Sequence, residues 1–325
     1  MSTCIASPVD KASLIEAHRP RWKTFQLWLL FSAVLALAQA ALVASIVTGH
    51  YWLTVPLVLV VAHFMHSQLM AFHEAAHYVF CPNRKWNEAI GIGIGLFHFS
   101  SLSLFRAVHH THHAHLGTVQ DEQLWPFVDT RMPRWKRLLA ALAELTLGTF
   151  YDAFLFWRVF FRSSSPIVSP HVRRRIRWEL ALMVVFWTGM FALTVQLGTG
   201  RLLLWMYFIP ALLTGSMYAW RKYVEHMGLT GPTTADLSRS VVHADALGRL
   251  LTFTMFNIGF HAVHHAYGAL PQDALPQFSG LLHDDDDHAN STAVFPTYYS
   301  AFRAMLPSLA DPKVGPQWND ADQSA

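Results

Sequence analysis

"VPLVLVVAHFMHSQLMAFHEAAH", residues 55–77, carries two messages in one stretch. With the residues just before it, the run Tyr51–Phe72 is long and apolar enough to cross a bilayer, which takes about 20 helical residues. It then ends on HEAAH, where His73 and His77 stand at i and i+4 and so share one helical face. Read literally this is H-E-x-x-H, the pattern of zinc proteases in which Glu74 would be the general base. In a chain with 20 histidines it also fits one corner of a larger histidine cage holding a different metal.

The composition sets the solvent. Of 325 residues, 53% are hydrophobic and only 14% are charged, well under the roughly 25% of soluble domains, so the chain reads as a membrane protein. A net charge of +3 is too small to suggest a nucleic-acid partner. Cys4 and Cys81 lie in no paired pattern, and no structural disulfide is expected. No signal peptide is read at the N-terminus, where mostly polar residues precede the first apolar run.

Four spans are expected, near Phe25–Thr48, Tyr51–Phe72, Trp178–Leu197 and Leu202–Trp220. Only Gly49 and His50 separate the first two, and a short Gly-Thr-Gly-Arg separates the last two, so each pair reads as a hairpin. Of 24 Lys and Arg residues only Arg201 falls in one of these short loops. The positive-inside rule then places both termini and the long middle segment in the cytoplasm. Ala89–Phe105 and Leu138–Phe161 are apolar but imperfect and are expected to lie at the interface or against a cytoplasmic domain. The expected fold is all-α: about four transmembrane helices in two hairpins, with a cytoplasmic helical cap holding the metal site that HEAAH announces. Its parts are a cytoplasmic tail (1–24), a membrane domain (25–280) and a C-terminal cytoplasmic tail (281–325), in which HDDDDH, His283–His288, reads as a solvated loop before a calcium site.

Nine histidines fall into spaced groups: His73 and His77; His109, His112 and His113 in HHTHH; His261, His264 and His265 in HAVHH; and His226 in RKYVEHMG. All four groups map to one side of the membrane. His18, His50, His63, His66, His98, His171 and His243 stand alone and are read as ordinary hydrogen-bonding residues. One zinc is satisfied by four ligands, so nine histidines suit two metal ions, each with four or five nitrogens and a position open to dioxygen. A pair of irons can cycle oxidation state, which zinc cannot.

At these boxes the chain resembles the membrane fatty acid desaturase and hydroxylase superfamily, whose pattern is H-x(3–4)-H, H-x(2–3)-H-H and a later H/Q-x(2–3)-H-H between transmembrane hairpins. RAVHHTHHAHLGTVQDE and NIGFHAVHHAYGALPQDALPQF resemble the family's second and third boxes, and the likeness spans about residues 70–280. It implies a diiron centre on His73, His77, His109, His112, His113, His226, His261, His264 and His265. Glu74, Asp121 and Asn257 would support it from behind, while His110 and His115 match no ligand position. The intramembrane proteases with H-E-x-x-H take a third ligand from a later Leu-Asp-Gly, and no Asp-Gly occurs here, so the protease reading is the distant one.

The implied activity is oxygen-dependent desaturation of a fatty acyl chain, with hydroxylation of an acyl chain, alkane or other lipid as the alternative on the same scaffold. Two iron ions and dioxygen as co-substrate are implied. Electrons must come from a separate ferredoxin, rubredoxin or b-type cytochrome with its reductase, for which Arg131, Arg134, Lys136 and Arg137 are a candidate docking patch.

Overall fold

The computed structural model describes residues 11–282 and 294–319. Cys4 and the His283–His288 run lie outside them; Cys81 is a free, buried thiol. Helices dominate: α1 (Lys11–Ala17), α2 (Trp22–Val47), α3 (Tyr51–Ala76), α4 (Arg84–Phe97), α5 (Leu102–Ala114), α6 (Arg134–Leu147), α7 (Thr149–Phe161) and α8 (Pro170–Leu197). A short α9 (Gly200–Leu203) runs through a π turn into α10 (Ile209–His226), followed by α11 (Ala246–Thr254), α12 (His261–Ala266) and α13 (Tyr298–Met305). The strands are two residues each, β1 (Ser240–Val241) and β2 (Val294–Phe295), paired in parallel.

Four helices are long and apolar enough to cross a membrane: Leu14–Val47, Tyr51–Ala76, Pro170–Leu197 and Gly200–His226. Each is longer than its expected span. The difference matters most in α10, where Arg221, Lys222 and Glu225 had marked the end of the apolar run. The helix continues through them to His226 because they are paired and buried. Arg221 donates to both oxygens of Glu225 at 2.6 and 2.8 Å, and Lys222 meets Glu144 and, at 3.7 Å, Asp152. Charges matched in this way can lie inside an apolar bundle, whereas isolated ones could not.

The two imperfect apolar segments are each broken helix pairs. α4 and α5 turn by 97° across residues 98–101, a broken span or a re-entrant loop. α6 and α7 break at Gly148, whose φ is +53° and whose added Cβ would lie 2.1 Å from the Gly215 backbone. Two glycines facing each other thus let α10 cross the α6–α7 corner closely.

Buried polar groups hold the helix ends that carry the histidine boxes. Glu179 on α8 accepts from Ser101 Oγ (2.6 Å), Ser103 N–H (2.9 Å) and Ser103 Oγ (2.6 Å), so a carboxylate seats the N-terminus of α5. Arg106 on α5 donates to the Ala75 and Ala76 carbonyls at 2.9 and 3.0 Å, closing the C-terminus of α3. Arg239 does the same for α10 through the Val224 and Met227 carbonyls, at 3.1 and 2.8 Å.

The cationic stretch at the start of α6 is partly structural. Arg137 is 4% exposed and binds Asp311 and the Pro312 carbonyl, Arg134 donates to the Ala310 carbonyl, and Arg131 pairs with Asp129. Arg137 ties the C-terminal segment to α6 and is withdrawn from any docking surface.

Candidate metal centre

The nine histidines of the boxes come from four separate segments and meet at one place. Ring nitrogens of His73, His77, His109, His113 and His264 lie within 4.8 Å of one another, as do those of His112, His226 and His265. His261 joins the second set, its Nε2 lying 2.8 Å from that of His226 and 3.1 Å from that of His265. The lone histidines His18, His50, His63, His66, His98, His171 and His243 fall in neither set, and His110 and His115 are exposed.

Helix geometry explains the partition. Residues four apart share a face, and neighbours are turned by about 100°. So His73 with His77, and His109 with His113, serve the five-membered set, while His261 with His265 serve the four-membered one. The middle histidine of each H-x-x-H-H box points to the other set: His112 to the four, His264 to the five. Each box therefore spans both sets.

The donors suit cations. His112 Nδ1 donates to Asp121 Oδ2 (2.8 Å), His109 Nδ1 to Gln123 Oε1 (2.9 Å) and His226 Nδ1 to the Leu237 carbonyl (2.8 Å). These acceptors assign the ring proton to Nδ1 and leave Nε2 as a lone pair facing inward. Burial holds His77, His261, His264 and His265 well below the usual histidine pKa, so they are neutral. Yet the lone pairs face other imidazole nitrogens: Nε2 of His109 lies 2.9 Å from that of His73 and 3.2 Å from that of His113. Nε2 of His77 and both ring nitrogens of His264 are buried with no hydrogen bond among the described residues. Bonds of about 2.1 Å at right angles on one ion would put two nitrogens about 3 Å apart, which is the spacing observed. A cation in each set would remove the repulsion and take up one nitrogen of each ring.

The supporting groups differ in reach. Asp121 is fully buried and saturated, accepting also from the backbone N–H of Gly117 (3.1 Å), Gln123 (3.1 Å) and Leu124 (3.2 Å). Glu74 accepts from the Gln272 N–H at 3.0 Å, with its other oxygen 3.5 Å from His73 Nδ1. Asn257 meets Gln272 rather than a ring, donating to its carbonyl at 3.2 Å, and so acts through the turn whose N–H holds Glu74. Two contributors escaped the sequence reading. Gln123 lies two residues from Asp121, and Glu225 places an oxygen 3.5 Å from His261 Nε2. The i, i+4 spacing of Arg221 and Glu225 was the available signal for the latter.

Asp121→Asn is expected to weaken metal retention about 10- to 100-fold, because an amide cannot accept from His112 and from three backbone N–H groups with equal geometry. Dialysis against graded chelator followed by metal analysis checks this; unchanged retention would mean that Asp121 does not orient His112.

Two similar proteins set the arrangement in context. A "Fatty acid desaturase" of Bacillus subtilis (strain 168) is 24% identical over 281 residues, 82% of this chain and 75% of that protein. A "Sphingolipid delta(4)-desaturase" of Drosophila melanogaster is 25% identical over 265 residues, 77% of this chain and 71% of that protein. The fatty acid desaturase family model matches residues 50–295, a range that contains all nine clustered histidines, and the chain belongs to that family.

Proposed function

We propose that the protein is a membrane-bound, oxygen-dependent diiron desaturase that introduces a double bond into the acyl chain of a lipid. The observation that carries this is the convergence of nine buried or half-buried imidazoles as one set of five and one of four. Family membership and the names of the two similar desaturases support a lipid substrate. Bound iron supplies the oxidising power needed to take hydrogen from an unactivated methylene, which side-chain acid–base chemistry cannot do. The balance is CH2–CH2 plus O2, two electrons and two protons, giving CH=CH and two waters. An external redox protein delivers the electrons.

The chain's own residues hold and shield the reaction. His73, His77, His109, His113 and His264 hold one iron, and His112, His226, His261 and His265 the other. Asp121, Gln123 and the Leu237 carbonyl fix ring orientation. A small cavity of about 30 Å³, lined by Leu69, Phe72, Phe105, Phe156 and Tyr218 with the polar His98, Ser100, Thr149 and Asp152, lies beside the five-membered set. Phe105 stacks on His109 with ring centres 5.1 Å apart, and Phe72 adjoins His73 in sequence. An acyl chain would enter here only by moving these side chains apart, and would then bring a methylene beside the irons. Expression with a redox partner, followed by gas chromatography and mass spectrometry of the lipids, tests the reading: an alkene product is expected, and a purely hydroxylated one would sink desaturation.

The same proposal fixes topology, with two hairpins across the membrane and a cytoplasmic cap over the irons. His73 and His226 sit at the ends of α3 and α10 remote from the turns at 48–50 and 198–199, so those turns belong on the far side. Cysteines placed at the exposed positions His50 and Gln196 should react with an impermeant reagent on intact cells. Cysteines at exposed Gln120 and Ala310 should react only after lysis. External labelling of Gln120 would overturn the orientation.

A further inference from the structure

A second cleft, between α10, α11 and α13, has no part in holding the metals. Its walls are apolar: Met217, Trp220 and Val224 on α10, Met255 just after α11, and Phe302 on α13. Its volume is about 390 Å³, within the range of small-molecule sites.

The floor is different. His66 on α3 is 1% exposed, lines the cleft, and has no hydrogen-bond partner for either ring nitrogen among the described residues. The hydroxyl of Tyr298 and Nε of Arg221, which also line it, are buried and equally unpartnered. Native interiors rarely leave polar groups unpaired, and here the orphans come from three elements and meet at one cavity. Such convergence marks a place where a ligand's polar atoms belong.

Charge narrows the ligand. The Arg221 guanidinium is already matched by Glu225, whose two oxygens accept from it at 2.6 and 2.8 Å. A carboxylate or phosphate would meet Glu225 beside it, and a cation would meet Arg221. What remains open is a donor on Arg221, the two ring nitrogens of His66, and a hydroxyl on Tyr298 that can donate or accept. The matching group is uncharged and both gives and accepts hydrogen bonds: a hydroxyl or an amide.

The floor also adjoins the cavity assigned to the acyl chain. Tyr218 lines that cavity, and its ring lies 6.1 Å from the ring of His66. His66 stands seven residues before His73, two turns down the same face of α3. We infer that the substrate is a lipid bearing a hydroxyl or amide near its acyl chain, and that His66, Arg221 and Tyr298 bind this group. This rests on the lipid-desaturase reading and narrows its substrate class.

Equilibrium binding to the purified full-length protein tests it, with two radiolabelled probes of equal chain length. One is a long-chain N-acyl amino alcohol, the other the corresponding plain hydrocarbon. The protein should bind the polar probe more tightly. Tyr298→Phe, which removes one hydroxyl, should weaken the polar probe about fivefold and leave the hydrocarbon unchanged. His66→Phe should act in the same direction, and the Tyr298 variant decides the matter if the His66 variant fails to fold. Equal binding of the two probes, or equal weakening of both by Tyr298→Phe, would overturn the inference and mean that water fills the floor. Binding is read without turnover, so that result leaves desaturation of other lipids untouched. A selective binder that forms no alkene from any lipid would instead overturn the desaturase reading.

Discussion

His264→Ala should abolish turnover, with a loss of well over a hundredfold in alkene formed per unit of protein. His264 is 1% exposed and both of its ring nitrogens are buried without a hydrogen bond. Its ring centre lies 4.5 Å from that of His73, 4.8 Å from that of His77 and 4.7 Å from that of His113. Replacing it with alanine removes one of five nitrogens and opens a void that water can enter, changing metal affinity and redox behaviour together. Groups that merely orient a ligand cost about 10- to 100-fold when lost, so a ligand should cost more. His63→Ala and His171→Ala serve as controls. His63 is occupied with Thr254 Oγ1 at 2.8 Å, and His171 is exposed at the start of α8. Comparable losses in all three variants would mean that histidine content, not the cage, matters.

The parts legible in the sequence were those governed by local periodicity. The i, i+4 pair in HEAAH and the two H-x-x-H-H boxes announce faces of helices, and long apolar runs announce spans. The division of nine rings between two sets was not read, because it depends on how α3, α5, α10 and α12 cross. The continuation of α10 through its charged end was not read for a related reason. Lys222 looks like the border of a span until α6 and α7 supply Glu144 and Asp152, and a single sequence does not display that pairing. The break at Gly148 was hidden by apolar residues on both sides, whereas His98, Ser100 and Ser101 were a signal for the break at 98–101 that went unread. Supporting acceptors divide in the same way. Asp121, close to its box in sequence, could be anticipated, whereas the Leu237 carbonyl that holds His226 carries no side-chain signal.

The partition itself can be tested by removing one set. His226 and His261 both belong to the four-membered set, with Nε2 atoms 2.8 Å apart, and neither belongs to the set of five. The double substitution His226→Ala with His261→Ala should therefore reduce iron from about two to about one per chain and abolish turnover, leaving one metal on His73, His77, His109, His113 and His264. The reciprocal pair, His73→Ala with His77→Ala, should also leave about one, now held by His112, His226, His261 and His265. The first variant leaves two nitrogens in the depleted set and the second leaves three, in each case fewer than the intact set beside it holds, which is why each double variant should lose one ion selectively. Iron analysis with the chain concentration measured independently reads the outcome. Retention of both ions by either variant would mean that the removed rings are not ligands. Loss of both ions from each variant would mean that neither is held without the other, so that the histidines form one cluster rather than two sets joined by His112 and His264. Stoichiometric zinc in place of iron in the fully loaded protein would remove the redox chemistry on which desaturation depends.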